Sequence, residues 1–124
     1  MLKTNKQLFL GRTSWGPEAF RGVVNDPHDR TEPVRRAFAE YDIELLEIFY
    51  SPNNGEVITI FKAELKEISA YKMAARATGS FLGSTIEPLL DMSEMLDSMN
   101  MAKERSHTFK PPSQDEIDRM LLEE

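Results

Sequence analysis

The residues with the widest chemical range stand together in Asn25-Asp26-Pro27-His28-Asp29-Arg30. Histidine is the one side chain whose ordinary titration falls near neutrality. His28 beside Asp26, Asp29 and Arg30 therefore has the parts of an acid/base or ligand group at a pocket mouth. The same string also suits a solvated helix start, where acidic groups favour the positive end of the helix dipole and the histidine is incidental. A metal site does not follow. The other histidine, His107, lies far along the chain, and a single imidazole with nearby carboxylates has no recognised ligand spacing. A second set is aromatic and acidic: Trp15, Tyr50 and Phe61, with Glu56. Trp15 and Phe61 suit the wall of a cleft as well as a core, whereas a strand-end tyrosine beside a turn can present its hydroxyl to a ligand. Glu56 can pair with Arg12 or Arg30, or serve as a base if burial raises its pKa; a surface turn glutamate is the simpler account. No phosphate loop, Ser-His-Asp or Cys-His set, or glycine-rich dinucleotide fingerprint is present, so no cofactor is expected.

The elements that must position these groups centre on a hairpin. Ile43 to Tyr50 and Glu56 to Lys62 are rich in β-branched and aromatic residues and flank the turn Ser51-Pro52-Asn53-Asn54-Gly55. Val57, Thr59 and Phe61 point one way and Ile58, Ile60 and Lys62 the other, so both faces are greasy. In the first strand of the pair the apolar phase changes by one residue between Leu45 and Leu46, the mark of a bulge or of burial on both sides. Before the hairpin, Gln7 to Thr13 reads as a strand, and Pro17-Glu18-Ala19-Phe20 opens a short helical turn. Asp26 with Pro27 reads as an N-cap for a single turn near 27–30. A helix over 32–41 buries Val34, Ala37, Phe38 and Tyr41 as one stripe. After the hairpin, a helix over 64–78 turns Leu65, Ile68, Tyr71 and Ala75 inward and stops at Gly79. A strand over 81–89 closes at Pro88. The order β-α-β-β-α-β is the split βαβ of ferredoxin-like folds.

Beyond it, a helix starts at Ser93 as N-cap and aligns Met92, Met95, Leu96 and Met99, a stripe that suits packing or an adaptable binding surface. Phe109-Lys110-Pro111-Pro112 is a stiff connector. Ser113-Gln114-Asp115-Glu116 has the form of a capping box, with Ile117, Met120 and Leu121 following at helical spacing. That last helix is short enough to be marginal in water unless it docks. The chain of 124 residues and 40% hydrophobic composition supports about one core. A net charge of −6 and the lack of any basic stripe argue against a nucleic-acid partner. There are no cysteines, which excludes disulfides and thiolate chemistry. No membrane span or signal peptide is visible, so no membrane partner and a cytoplasmic location are the expectation.

Four stretches resemble the GYD domain family: Arg12-Thr13-Ser14-Trp15; Asn25 to Arg30; Phe49-Tyr50 with the Gly55 turn and Glu56 to Ile60; and Ala74 to Phe81 running into Ile86-Glu87-Pro88-Leu89-Leu90. The Phe109-Lys110-Pro111-Pro112 ending is also similar. At the naming motif, Gly-Tyr-Asp in the family, this chain reads Asn54-Gly55-Glu56, keeping an acid and losing the tyrosine. The resemblance implies a ferredoxin-like dimeric α/β barrel over 1–91, with a helical extension over 92–124, and it implies no activity. The fold expected is α+β: a four-stranded antiparallel sheet, helices on one face, and a second subunit closing the other. Two functions fit. One is a dimeric binding or assembly protein that uses its sheet and C-terminal helices as interfaces. The other is a cofactor-free or heme-type enzyme acting on a small organic molecule in the sheet–helix cleft, lined by Trp15, His28, Arg30, Tyr50 and Glu56. Residues 113–122 are similar to the short docking helix of a flagellar motor switch protein that binds a response regulator, which makes Ile117, Met120 and Leu121 candidates for docking a protein partner through 113–124.

Overall fold

A computed structural model describes residues 5–79 and 81–123. In chain order the elements are β1 (Gln7–Trp15), α1 (Pro17–Asn25), α2 (Thr31–Ala39), β2 (Glu44–Ser51), β3 (Glu56–Ala63), α3 (Leu65–Ala77), β4 (Phe81–Leu89), α4 (Met92–Arg105), a 3₁₀ turn (Ser106–Thr108) and α5 (Pro112–Glu123). The chain divides into two compact units, Met1–Leu89 and Leu90–Glu124. The first unit is α+β. Its open sheet has the order β2-β3-β1-β4, with each neighbouring pair antiparallel. Among the described residues, no helix is long and apolar enough to cross a membrane.

Register assigns the two faces of the sheet. Phe9 stands opposite Phe61 and Pro88, and Gly11 opposite Thr59 and Ile86. These positions point toward the helices. The buried core is Phe9, Leu45, Phe61 and Ala63 from the sheet, Phe38 and Ile68 from α2 and α3, and Ile43 from the entry to β2. Leu8, Leu10, Ile58 and Ile60 lie on the opposite face and are only half-buried. The phase change in β2 is a register shift between Leu45 and Glu47. The extra residue lets Leu45 and Ile48 both reach the helix side, and leaves Leu46 and Phe49 exposed at 36% and 55%. At the hairpin tip Gly55 has φ 64°, which glycine adopts without steric penalty, and its N–H donates to Ser51 O at 2.8 Å.

Four local expectations need correction. The first crossover carries two helices. Pro17 opens a full nine-residue α1, and Asp26 caps its C-terminus by donating its backbone N–H to Gly22 O at 3.0 Å. The stretch after it is not helical. Asp29 Oδ1 instead accepts the Thr31 N–H at 2.8 Å and starts α2, where Pro33 sits in the first turn and its missing N–H is needed by no carbonyl. On α3, Ile68 is buried but Leu65 is 71% exposed. The inward row runs through Ile68, Tyr71 and Ala75, and Leu65 is too early on the helix to join it. In the second unit α4 is capped by Asp91, not Ser93. Asp91 Oδ1 accepts the Glu94 N–H at 2.8 Å, and the Ser93 hydroxyl donates to the same carboxylate at 2.7 Å. Helix α5 is already under way at Pro112, so Ser113 lies within its first turn. The Glu116 side chain of the expected capping box lies outside the described residues. Lys110 Nζ reaches Asp118 Oδ2 at 2.7 Å and ties the connector to α5.

The start of α3 carries a capping box built on Glu64 and Glu67. Glu67 accepts the Glu64 N–H at 2.8 Å and Lys6 Nζ at 2.7 Å, and Lys6 also donates to the Asp42 carbonyl. The Glu64 amide first, and the Lys6 ammonium second, hold the Glu67 carboxyl below its ordinary 4.5. A depressed carboxylate stabilises the fold fully above the unfolded-state value and loses that stabilisation as pH falls through the folded one. Glu67→Gln is therefore expected to lower the urea midpoint at neutral pH. The gap from wild type should close on acidification below pH 4.5, as read from parallel denaturation curves.

Candidate functional site

The topology brings several termini to one end of the sheet. There β1 finishes at Trp15 and β4 begins at Phe81, while α2 begins at Thr31 and α3 finishes at Ala77. At the other side of the cleft, aromatic rings fasten the helices down. Phe38 meets Tyr71 edge to face at 4.8 Å between centroids and Phe61 at 5.6 Å, and Phe9 stacks on Phe61 at 5.8 Å. Between these contacts and the strand ends a cavity of about 460 Å³ stays open. Small residues keep it open: Gly11 on the sheet, Ala37 on α2, Ala75 on α3, and Gly83 with Ser84 on β4. Gly11 is decisive. A Cβ there would lie 2.8 Å from Thr59 Oγ1 and 3.1 Å from a Phe61 ring carbon.

Trp15 forms part of the cavity wall and packs edge to face on Phe20 at 5.6 Å. Arg30 lines it from the α2 side, and Lys72 and Arg76, four residues apart on α3, line it from the other. Lys72 Nζ reaches toward Ser84 O at 3.5 Å. Thr13, Thr59, Ser84 and Thr85 add hydroxyls. Tyr71 sits between Phe38 and Tyr41. Its burial, and the neighbouring Tyr41, raise its pKa above 10.0, against the opposing pull of Arg30.

Of the five residues read as a site, the cleft gathers Trp15 and Arg30. His28 stands behind Arg30. Arg30 Nη1 donates to His28 Nε2 at 3.1 Å, and the other ring nitrogen, Nδ1, lies 2.7 Å from the Asp26 carbonyl. An arginine donor requires the lone pair on Nε2, which assigns the proton to Nδ1. His28 thus positions Arg30 and does not line the cavity. Tyr50 stands opposite Val57 at the edge of the sheet, is 52% exposed, and is not on the cavity wall. Glu56 alternates with Val57 and so faces away; among the described residues it forms no ion pair with Arg12 or Arg30. Ile117, Met120 and Leu121 are 50%, 61% and 64% exposed on α5. Lys72 and Arg76 were missed by sequence reasoning. Their signal was the i, i+4 spacing along the flank of the Ile68–Tyr71–Ala75 row. No group of three or more potential metal ligands forms among the described residues.

Comparison of the chain with protein-family models, with curated proteins and with solved structures returned no match.

Tyr71 offers a direct check on the cleft's packing. In an alkaline titration followed by tyrosinate absorbance, Tyr71→Phe should remove a phase that titrates above pH 10.0, with little change in far-ultraviolet dichroism.

Proposed function

We propose that the chain is a small homodimeric binding protein of the GYD type. In this reading its ferredoxin-like sheet pairs through the face opposite α2 and α3, and its cleft holds a small organic molecule. One observation carries the pairing. Leu8, Leu10, Ile58 and Ile60 form a continuous apolar patch, flanked by the exposed Phe49, and none of them reaches the burial of the opposite face. A lone sheet with one wet face puts polar residues there; the two central strands of this one, β1 and β3, put Leu8, Leu10, Ile58 and Ile60 there, bordered by Arg12, Glu47, Lys62 and Glu87. The topology β2-β3-β1-β4 and the resemblance through residues 12–15, 25–30 and 74–90 agree with the proposal.

Magnitudes indicate how far the sheet suffices. Four strands about 4.8 Å apart and eight residues at about 3.3 Å each give a projected face of roughly 500 Å². A stable interface takes about 800 Å² of accessible surface from each partner, and a pleated face bearing side chains has more accessible surface than its projection. The second unit, taken by itself, has apolar surface of its own: α4 exposes Met92, Met95, Leu96 and Met99, and α5 exposes Ile117, Met120 and Leu121. Those last three are also the surface offered to any protein partner of residues 113–124.

The cleft supports the ligand part of the proposal, being within the usual size of small-molecule sites. It favours binding over catalysis. Its described lining contains no Asp, Glu or His to act as a base, and burial pushes its one phenol, Tyr71, away from the neutral range. Its described lining also lacks His, Cys and Met, and its one tyrosine, Tyr71, is packed between Phe38 and Tyr41, so the residues present fit the axial ligation of heme poorly.

Sedimentation equilibrium at micromolar concentration should give twice the chain mass. Leu10→Lys places a charge in the proposed interface beside Glu87, which tolerates it in a single subunit. The dimer should weaken by at least about a hundredfold while the dichroism spectrum is retained. A wild-type chain that sediments as a monomer would overturn the pairing. The double substitution Met120→Ser, Leu121→Ser should lower the thermal midpoint only through lost association, so calorimetry should show the shift vanish at dilutions where the wild type is itself dissociated, because α5 contributes no residue to the buried core.

A further inference from the structure

The charge on the cleft wall runs against that of the chain. Acidic residues number 21 of 124 and outnumber the 15 lysines and arginines. Among the described residues that line the cavity there is no aspartate or glutamate, and there are three cations, Arg30, Lys72 and Arg76. None of the three forms an ion pair with a described carboxylate. By contrast Lys6, Arg35 and Lys66 each sit against a glutamate. Like charges gathered without counter-ions repel one another, and the repulsion is relieved when an anion enters among them.

We propose, resting on the reading of the cleft as a ligand site, that its ligand is a small organic anion with a flat apolar body. Arg30, Lys72 and Arg76 would take the anionic head, and Trp15, Val34 and Phe81 the body. The cations come from both flanks of the cavity, Arg30 from α2 and the other two from α3, so a single head group can engage both helices. Arg30 is also oriented in advance. Its bond from Nη1 to His28 Nε2 fixes one side of the guanidinium and leaves its remaining N–H donors for the head group. Hydroxyls of Thr13 and Ser84 on the sheet side add neutral donors. A cationic ligand meets three like charges here, and a neutral one leaves them unpaired. Discrimination by charge is thus the property that this wall supplies.

The test uses the full chain and matched two-ring probes: 2-naphthylacetate, 2-naphthyl phosphate, 2-naphthylacetamide and 2-(2-naphthyl)ethylamine. Binding is followed by amide and Trp15 indole shifts in ¹H–¹⁵N spectra. The expected result is saturable binding of one or both anions, with shifts at Gly11, Trp15 and Gly83. The amide should bind at least about tenfold more weakly, and the amine should give no saturable shifts. Arg76→Gln and Arg30→Gln should each weaken the anion about tenfold, the usual effect of losing one charged hydrogen bond. His28→Gln, whose amide oxygen can replace Nε2 as acceptor, should bind more tightly than His28→Ala. Both arginines are exposed, so their variants should keep the wild-type spectral dispersion. Equal binding of acetate, amide and amine in the cleft would overturn the charge preference and leave the ligand site standing. No binding of any probe would overturn both, and shifts confined to residues outside the cleft would do the same. Sedimentation reads the dimer separately in every case.

Discussion

Everything in the first unit hangs on the aromatic column Phe9–Phe61–Phe38–Tyr71. It is the point at which two short helices are pinned to the sheet, and rings stacked and crossed at 4.8–5.8 Å supply both buried area and a fixed angle. In α2, only nine residues long, Phe38 is the buried residue and Val34 packs beside the core. Where the column ends, small residues take over, and the helices stand away from the strands. The cavity is thus a by-product of where the bulk was placed: large rings on one side, glycine and alanine on the other.

The same economy separates the roles of charged residues. Those with stabilising partners cluster at the helix starts, as with Glu67 and Asp91, whose carboxyls are held low by backbone amides. The cations around the cleft form no ion pair with a carboxylate among the described residues. If the cleft binds as proposed, stability and recognition are drawn from different ionic groups, and ligand selectivity can change by substitution at α2 and α3 without touching the caps that hold the helices.

Much of the fold was legible because its signals are local. Turn chemistry at Asn53-Asn54-Gly55 gave the hairpin, and the one-residue phase change gave the bulge. Gly79, with φ 71°, gave the end of α3. What failed was also local but ambiguous. Asp26-Pro27 and Asp29-Arg30-Thr31 are both competent helix starts, and only the packing of Phe38 selects the second. The site was half legible. Trp15 and Arg30 flank the right opening, but a strand's alternation sends Glu56 to the other face and an edge position leaves Tyr50 outside. Lys72 and Arg76 could not be read, because their role depends on which side of α3 the cavity falls, and periodicity alone places them on a flank.

Proline at position 88 stands in β4, the outermost strand, opposite Phe9. A residue without an N–H cannot complete a ladder on a newly arriving strand. The other rim, β2, is bent by its bulge and carries Glu44 and Glu47. Both rims are therefore poor templates for lateral growth. Blunted borders discourage endless ribbons, which is the condition under which the proposed pairing stops at a closed, countable assembly.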